Sequence, residues 1–134
     1  MNEAARARVP TWFWIVALLA VAWEAFGAYI YVTQSLVPDA ERQGDYATMA
    51  SWQWGMFAVA VWSGLLGALA LLLRSRFAVL LLLVSFLAAV ILHSYAALAG
   101  GISPDALPVT ITVLVIGLVL VIISSRARRA GWLR

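Results

Sequence analysis

The residue best placed to do chemistry in this sequence is Glu24, because it lies near the middle of a long apolar segment. The segment 12–32 would form a helix of roughly 31 Å, enough to cross a hydrocarbon core of about 30 Å. An acidic side chain at the centre of such a helix costs about 2.5–3.5 kcal/mol on insertion scales. We therefore expect Glu24 to face other helices or a cavity, where its carboxyl could bind a proton or serve packing alone.

The single histidine, His93, is the second residue with acid–base chemistry. It recurs with Ser85, Ala89 and Ala97 at four-residue steps, which predicts an interior helix face near the outer end of the third apolar segment. A carboxyl and an imidazole in a site of low dielectric can share a proton, directly or through water. For His93 we expect a local hydrogen bond, as is usual for a single histidine near a membrane interface, and such a pair with Glu24 is the alternative.

Four further residues complete the predicted intramembrane polar site: Trp62, Tyr31, Gln53 and Tyr95. Trp62 lies in the middle of an apolar segment, where its indole N–H needs Glu24 or a backbone carbonyl as acceptor, unless the ring fills the core or stacks on a ligand. The other three lie in the outer half of the membrane. They predict an outward-facing polar pocket, with an interfacial aromatic belt as the alternative for the tyrosines.

Enzyme signatures are almost absent from the chain. There is no cysteine, no histidine spacing typical of a metal site, and no set of Ser, His and Asp that indicates a nucleophile. Gly100 and Gly101 alone do not predict a phosphate-binding loop. We expect a protein that is not an enzyme, with no catalytic residue, no metal and no cofactor.

The composition is that of an integral membrane protein. Hydrophobic residues make up 65% of the 134 residues and charged residues 11%, and the mean hydropathy is +0.98. The nine basic residues are all arginine and lie beside apolar segments, not on one face of a soluble domain. The bilayer is therefore the expected partner, and nucleic acid is not.

Four apolar segments predict an all-α, integral membrane four-helix bundle in which residues 1–134 form a single transmembrane domain. The expected spans are given by number: 10–33, 52–73, 77–98 and 107–125. The break at Arg74, Ser75 and Arg76 is so short that the second and third helices must be antiparallel neighbours. Small residues at helical spacing predict close packing between the helices.

The arginines predict the orientation of the bundle. Arg6 and Arg8 precede the first span, Arg74 and Arg76 separate the second from the third, and four more follow the fourth. Arg42 alone falls on the opposite side. By the positive-inside rule both termini of this multi-pass protein are cytoplasmic.

Two groups of membrane proteins share short stretches with this chain. The segment Ala60-Val61-Trp62-Ser63-Gly64, together with an acid in the first helix, resembles small multidrug-resistance transporters, four-helix proteins whose first-helix Glu binds protons and cationic drugs. The chain differs from that group in two respects. Its Trp lies on the second helix instead of the third, and its arginines are strongly biased to one side of the membrane.

A longer resemblance covers most of the chain. Residues 10–16, residues 60–67 running into 71–76, and residues 128–134 are similar to a family of small, uncharacterised proteobacterial inner-membrane proteins. Automatic naming sometimes labels its members sugar transporters. The resemblance implies the fold and the location, and it offers no binding or catalytic positions.

Two classes of function follow from these observations. Glu24 favours transport of a small solute, with a proton link through its carboxyl as one form, since an ionisable residue within a membrane is by default a functional-site hypothesis. Four helices enclose little space, so a transport pathway predicts a homo-oligomer. The alternative is an accessory or assembly subunit in a larger membrane complex, with Glu24 buried against a charge of its partner.

Overall fold

In a computed structural model, which describes residues 8–134, the chain forms four long helices. They are α1 (Thr11–Ser35), α2 (Ser51–Leu72), α3 (Phe77–Ala99) and α4 (Leu107–Arg129), with 25, 22, 23 and 23 residues. No strand occurs in this range, so the all-α prediction is confirmed. Each helix is long and apolar enough to span a bilayer, which makes the chain a multi-pass membrane protein.

Two helices extend beyond their expected ends. α1 runs to Ser35 because Thr33 and Ser35 bond back to carbonyls of their own helix, Thr33 to Tyr29 at 3.0 Å and Ser35 to Val32 at 2.9 Å. α4 continues past residue 125 to Arg129, since arginine is favoured in the last turn of a helix. It stops where Gly131 takes a φ of 75°. The polar residues at the C-terminal ends of α1 and α4 therefore extend these helices beyond their expected ends.

The helices pack in the order of the sequence: α1 on α2, α2 on α3, and α3 on α4. Glycines bring the pairs together. A Cβ at Gly67 would lie 2.8 Å from Leu82 Cγ, and one at Gly117 would lie 3.0 Å from the Phe86 ring, so both helix pairs pack more closely there than a larger residue allows. The bundle is thus built from consecutive helix pairs.

The α2–α3 turn is joined to the C-terminal tail at one end of the bundle. Arg74 has a left-handed φ of 58°, and Ser75 N–H donates to Ala70 O at 2.7 Å, which closes α2 with a Schellman motif. Arg74 Nε donates to Trp132 O at 2.7 Å, and the Arg134 N–H donates to Arg74 O at 2.6 Å. The Arg76 N–H in turn donates to Arg134 O at 2.9 Å. The tail is therefore fixed across the turn.

The start of α1 lies at the same end. The Trp132 ring packs edge-on against Trp12 and Phe13, with centroids 5.6 and 5.7 Å apart. Phe13 is fully buried there. We call this the arginine-rich end, because it gathers the described arginines other than Arg42; Arg6 lies outside the described residues. The side of the membrane that this end faces remains a prediction.

The opposite end, which we call the loop end, carries the 36–50 loop and the 100–106 loop. The first of these contains two short 3-10 helices, Asp39–Glu41 and Gly44–Thr48. Pro38 precedes the first of them, whose only turn carries Asp39 and Glu41, and proline and acidic residues both favour the start of a helix. Arg42 forms an ion pair of 2.5 Å with Asp39.

Candidate functional site

Glu24 lies at the centre of α1, and its carboxyl is directed onto α2. A Cβ placed on Gly64 would lie 2.7 Å from Glu24 Cδ and would overlap Glu24 Oε2. Gly64 itself is buried, whereas Glu24 is half-buried. The carboxyl therefore occupies the space that a side chain at residue 64 would fill, between the helices and not toward lipid.

A hydroxyl from α3 reaches the same position. Ser85 Oγ would lie 2.8 Å from a Cβ on Gly64, and it donates a hydrogen bond to Ala60 O on α2 at 2.6 Å. Ser85 and Glu24 thus approach Gly64 from α3 and α1. The site combines one carboxyl and one hydroxyl at the junction of three helices.

The charge on Glu24 has no counterion in the part of the chain that the structure describes. The ion pair found between residues 8 and 134 joins Arg42 to Asp39 in the 36–50 loop. An ionised carboxyl without a basic partner is costly at this depth. What the arrangement offers chemically is a group that can take up and release a proton while remaining inside the helix bundle.

His93 lies on the loop-end side of this junction and does not contact Glu24. Its Nδ1 lies 2.8 Å from Ala89 O, one turn earlier in α3, which is a hydrogen bond within the helix. His93 is eight residues beyond Ser85, a distance of roughly 12 Å along the helix axis. The structure thus shows the local hydrogen bond expected for His93 and does not pair His93 with Glu24.

Trp62 packs at the α1–α2 interface, where its ring lies edge-on to Tyr31 with centroids 6.4 Å apart. The Trp62 side chain is 42% exposed, which leaves much of the ring on the lipid side. Within residues 8–134 its indole N–H donates no hydrogen bond, neither to Glu24 nor to a backbone carbonyl. The contact with Tyr31 links Trp62 to a larger group of rings.

That group, the aromatic cluster, covers the α1–α2 interface toward the loop end and consists of Tyr31, Tyr46, Trp54, Phe57 and Trp62. The rings of Tyr31 and Phe57 meet edge-on with centroids 5.2 Å apart, and Tyr46 stacks on Phe57 at 6.4 Å. The Arg42 guanidinium lies over the Trp54 ring, 4.5 Å from its centroid. Tyr46 and Arg42 therefore fasten the 36–50 loop to the helices.

The remaining two predicted site residues have contacts elsewhere. Gln53 Oε1 accepts a hydrogen bond from the Ala50 N–H at 2.8 Å, so Gln53 caps the start of α2. Tyr95 lies edge-on to Trp52 with centroids 4.7 Å apart, at the α2–α3 interface. Of the six predicted residues, Tyr31 and Trp62 contact each other, whereas Glu24, His93, Gln53 and Tyr95 each have the separate contacts given above.

Sequence reasoning identified Glu24 but missed its immediate neighbours. Gly64 and Ser85 fit the small-residue faces expected of α2 and α3, yet nothing in their spacing showed that both would meet the carboxyl. The contact of Tyr46 and Arg42 with Trp54 was also missed, since a loop carries no periodic signal. Between residues 8 and 134 no three His, Asp or Glu side chains are grouped as metal ligands. No protein-family model, curated protein or solved structure matches this chain.

Proposed function

We propose that this protein transports a small solute across the bacterial inner membrane in exchange with protons, and that Glu24 binds the proton. The observation that carries the proposal is the position of the Glu24 carboxyl, which lies against Gly64 and near Ser85 inside the bundle. A carboxyl held between helices without a basic partner can alternate between its two protonation states. That alternation is what proton-linked transport requires.

The position of Glu24 also bears on the choice between the two classes of function. An accessory subunit that paired Glu24 with a charge of another protein would present the carboxyl on an outer face of the bundle. Here the carboxyl is directed onto α2 of its own chain. This placement favours transport over the accessory role.

The packing of the helices supports self-association as part of the proposal. The most extensive contacts join consecutive helices, and α1 and α4 each expose a long apolar side. Exposed side chains on α4 include Val109 at 63% and Val115 at 53%. A homo-oligomer that joins such sides would enclose a pathway that one bundle lacks. We propose cytoplasmic termini for this assembly, from the positive-inside rule.

The accessory role remains the second candidate, because the same exposed sides could receive the helices of another protein. Native mass spectrometry of tagged protein extracted in mild detergent separates the two. Transport predicts a homo-oligomer without foreign subunits. A stoichiometric foreign subunit would instead support the accessory role.

Reconstitution tests the part played by Glu24. Liposomes containing the protein and an internal pH dye receive sugars, amino acids or small organic cations, one class at a time. We expect at least one class to move protons with the wild type, and Glu24→Gln to abolish that movement because an amide cannot exchange a proton. Glu41→Gln is the matched control: it makes the same change in the exposed loop and should leave proton movement unchanged.

Gly64→Ala is a second variant, which retains Glu24 and changes only the position of its carboxyl. The added methyl would displace the carboxyl from α2, and we expect it to reduce proton movement at least tenfold while the protein still folds. Equal proton movement by the wild type and Glu24→Gln, or none with any solute class, would overturn the proposal.

A further inference from the structure

Among residues 8–134, the arginine-rich end has an excess of positive charge that side-chain carboxylates do not neutralise. The described acids are Glu24 in the middle of α1 and Asp39, Glu41, Asp45 and Asp105, which all lie in the two loops of the loop end. The described arginines other than Arg42 therefore have no side-chain carboxylate near them among residues 8–134. Within the described residues, this end therefore offers positive charge to an anionic ligand.

One of these arginines lies beside an apolar groove. The groove, of about 600 Å³, runs along the surface between α2 and α3 at this end, and its lining includes Leu66, Leu69, Leu73, Ser75, Phe77 and Leu80. Leu73 is 79% exposed and Phe77 61% exposed, so the groove opens toward the lipid. Its shape and chemistry suit a hydrocarbon chain lying along the helices.

Arg76 places a positive charge at the mouth of this groove. Its guanidinium lies over the Phe77 ring, 5.9 Å from the ring centroid, and Phe77 is part of the lining. The backbone N–H of Arg76 is held by Arg134 O at 2.9 Å, which fixes the start of the side chain. Arg74 differs, because its Nε is already bonded to Trp132 O. The Arg76 guanidinium remains available for a ligand.

We propose that this groove binds one anionic glycerophospholipid, with an acyl chain along the α2–α3 groove and the phosphate on the Arg76 guanidinium. A lipid has both required parts, an apolar chain and an anion at the depth where the groove meets the arginine-rich end. Guanidinium groups bind phosphate oxygens strongly, in a geometry that ammonium groups do not reproduce. The site is independent of Glu24 and of the proposed transport.

Lipid retention in native mass spectrometry tests the site. Detergent-purified protein is mixed with equal amounts of phosphatidylglycerol and phosphatidylcholine that carry the same acyl chains. We expect one bound phosphatidylglycerol to be retained in preference to phosphatidylcholine. Arg76→Gln should lower its retention about fivefold, the factor that corresponds to about 1 kcal/mol for one basic residue near a membrane surface.

Arg128→Gln is the matched control, because it removes the same charge from the exposed end of α4, away from the groove. It should change retention less than twofold. Arg76→Lys keeps the charge but loses the guanidinium geometry, and we expect retention between those of wild type and Arg76→Gln. Thermal unfolding of each variant in detergent shows whether it is folded.

Three results would overturn the proposal. Equal retention of the two lipids by the wild type, which needs no variant, would show that the groove has no headgroup preference. Equal losses of phosphatidylglycerol retention in Arg76→Gln and Arg128→Gln would indicate that the whole arginine-rich end attracts the lipid without a specific site. A dimer that binds no lipid and dissociates in Phe77→Ala would show that a second copy of the chain covers the groove.

Discussion

Single residues in this protein have roles that depend on which helix faces them. Glu24 is an acid within a membrane span, and the structure gives it a glycine and a serine as neighbours instead of a base. A base would hold the carboxyl ionised as part of an ion pair. With Gly64 and Ser85 beside it, the carboxyl can change its charge without breaking a salt bridge.

Tyr46 shows the same dependence on surroundings outside the spans. It lies in the 3-10 helix Gly44–Thr48, half-buried against Phe57 and Trp54. Burial raises the pKa of the Tyr46 phenol above its ordinary value of 10.0, and the neighbouring Asp45 carboxylate raises it further. Both effects disfavour the phenolate in the folded protein.

This shift predicts a loss of stability at high pH. The folded state retains the Tyr46 proton at pH values where the unfolded state has released it, so the stabilisation is complete below about pH 10 and decreases as the pH rises above that value. Tyr46→Phe keeps the stacked ring and removes the ionisable group. We expect equal thermal stability of the two proteins at neutral pH and a smaller loss for Tyr46→Phe at alkaline pH. Parallel melting curves at every pH would contradict this account.

At the scale of the helices, glycines set the distance between α2 and α3. Gly67 lies against Leu82, where an added Cβ would approach the Leu82 backbone nitrogen to 3.0 Å as well as its side chain. Backbone does not move aside as a side-chain tip does. The α2–α3 pair would therefore have to separate to admit a methyl group.

Gly67→Ala should accordingly destabilise the protein by about 1–3 kcal/mol, the usual cost of overpacking. Gly55→Ala is the matched control on the same helix, because a Cβ there meets nothing within 4 Å. It should be neutral or stabilise by up to about 1 kcal/mol through helix propensity. Unfolding of both variants in mixed micelles measures the difference, and equal stabilities would show that α2 and α3 do not pack as described.

The helices themselves were predictable from the sequence, and their contacts were not. The apolar runs predicted four spans because only a helix satisfies its backbone polar groups in lipid, and the structure has them with small differences at the ends. The rotation of each helix depends on packing, and small residues occur on several faces of α1 and α2. The sequence therefore could not show that Glu24 meets Gly64. Nor could it show that His93 lies roughly 12 Å beyond Ser85 along the axis of α3, away from this contact.

Loop and turn contacts were equally hidden in the sequence. Arg74 takes a left-handed conformation in which glycine is the usual residue, and the bond from its side chain to Trp132 O joins positions far apart in the chain. Likewise, Tyr46 and Arg42 reach Trp54 only because the 36–50 loop folds back. Such contacts have no periodic pattern that would predict them.

At the scale of the whole molecule, the charge asymmetry gives one prediction about orientation. The arginine-rich end should face the cytoplasm, since the positive-inside rule counts arginines in short segments beside the spans. A topology reporter inserted at Gly44, in the exposed 36–50 loop, should report the outer side of the membrane. One fused after Arg134 should report the inner side. The opposite pair of results would reverse the orientation.

The order of helix packing has a consequence for how the protein is made. Each helix contacts chiefly the one synthesised just before it, so a nascent chain leaving the ribosome finds its packing partner already in the bilayer. Glu24 is the exception, because Ser85 arrives only with the third helix. After α2 has packed on α1 and before α3 is synthesised, the Glu24 carboxyl has Gly64 alone beside it. Biogenesis of this protein should therefore be most sensitive to insertion factors during synthesis of α2 and α3.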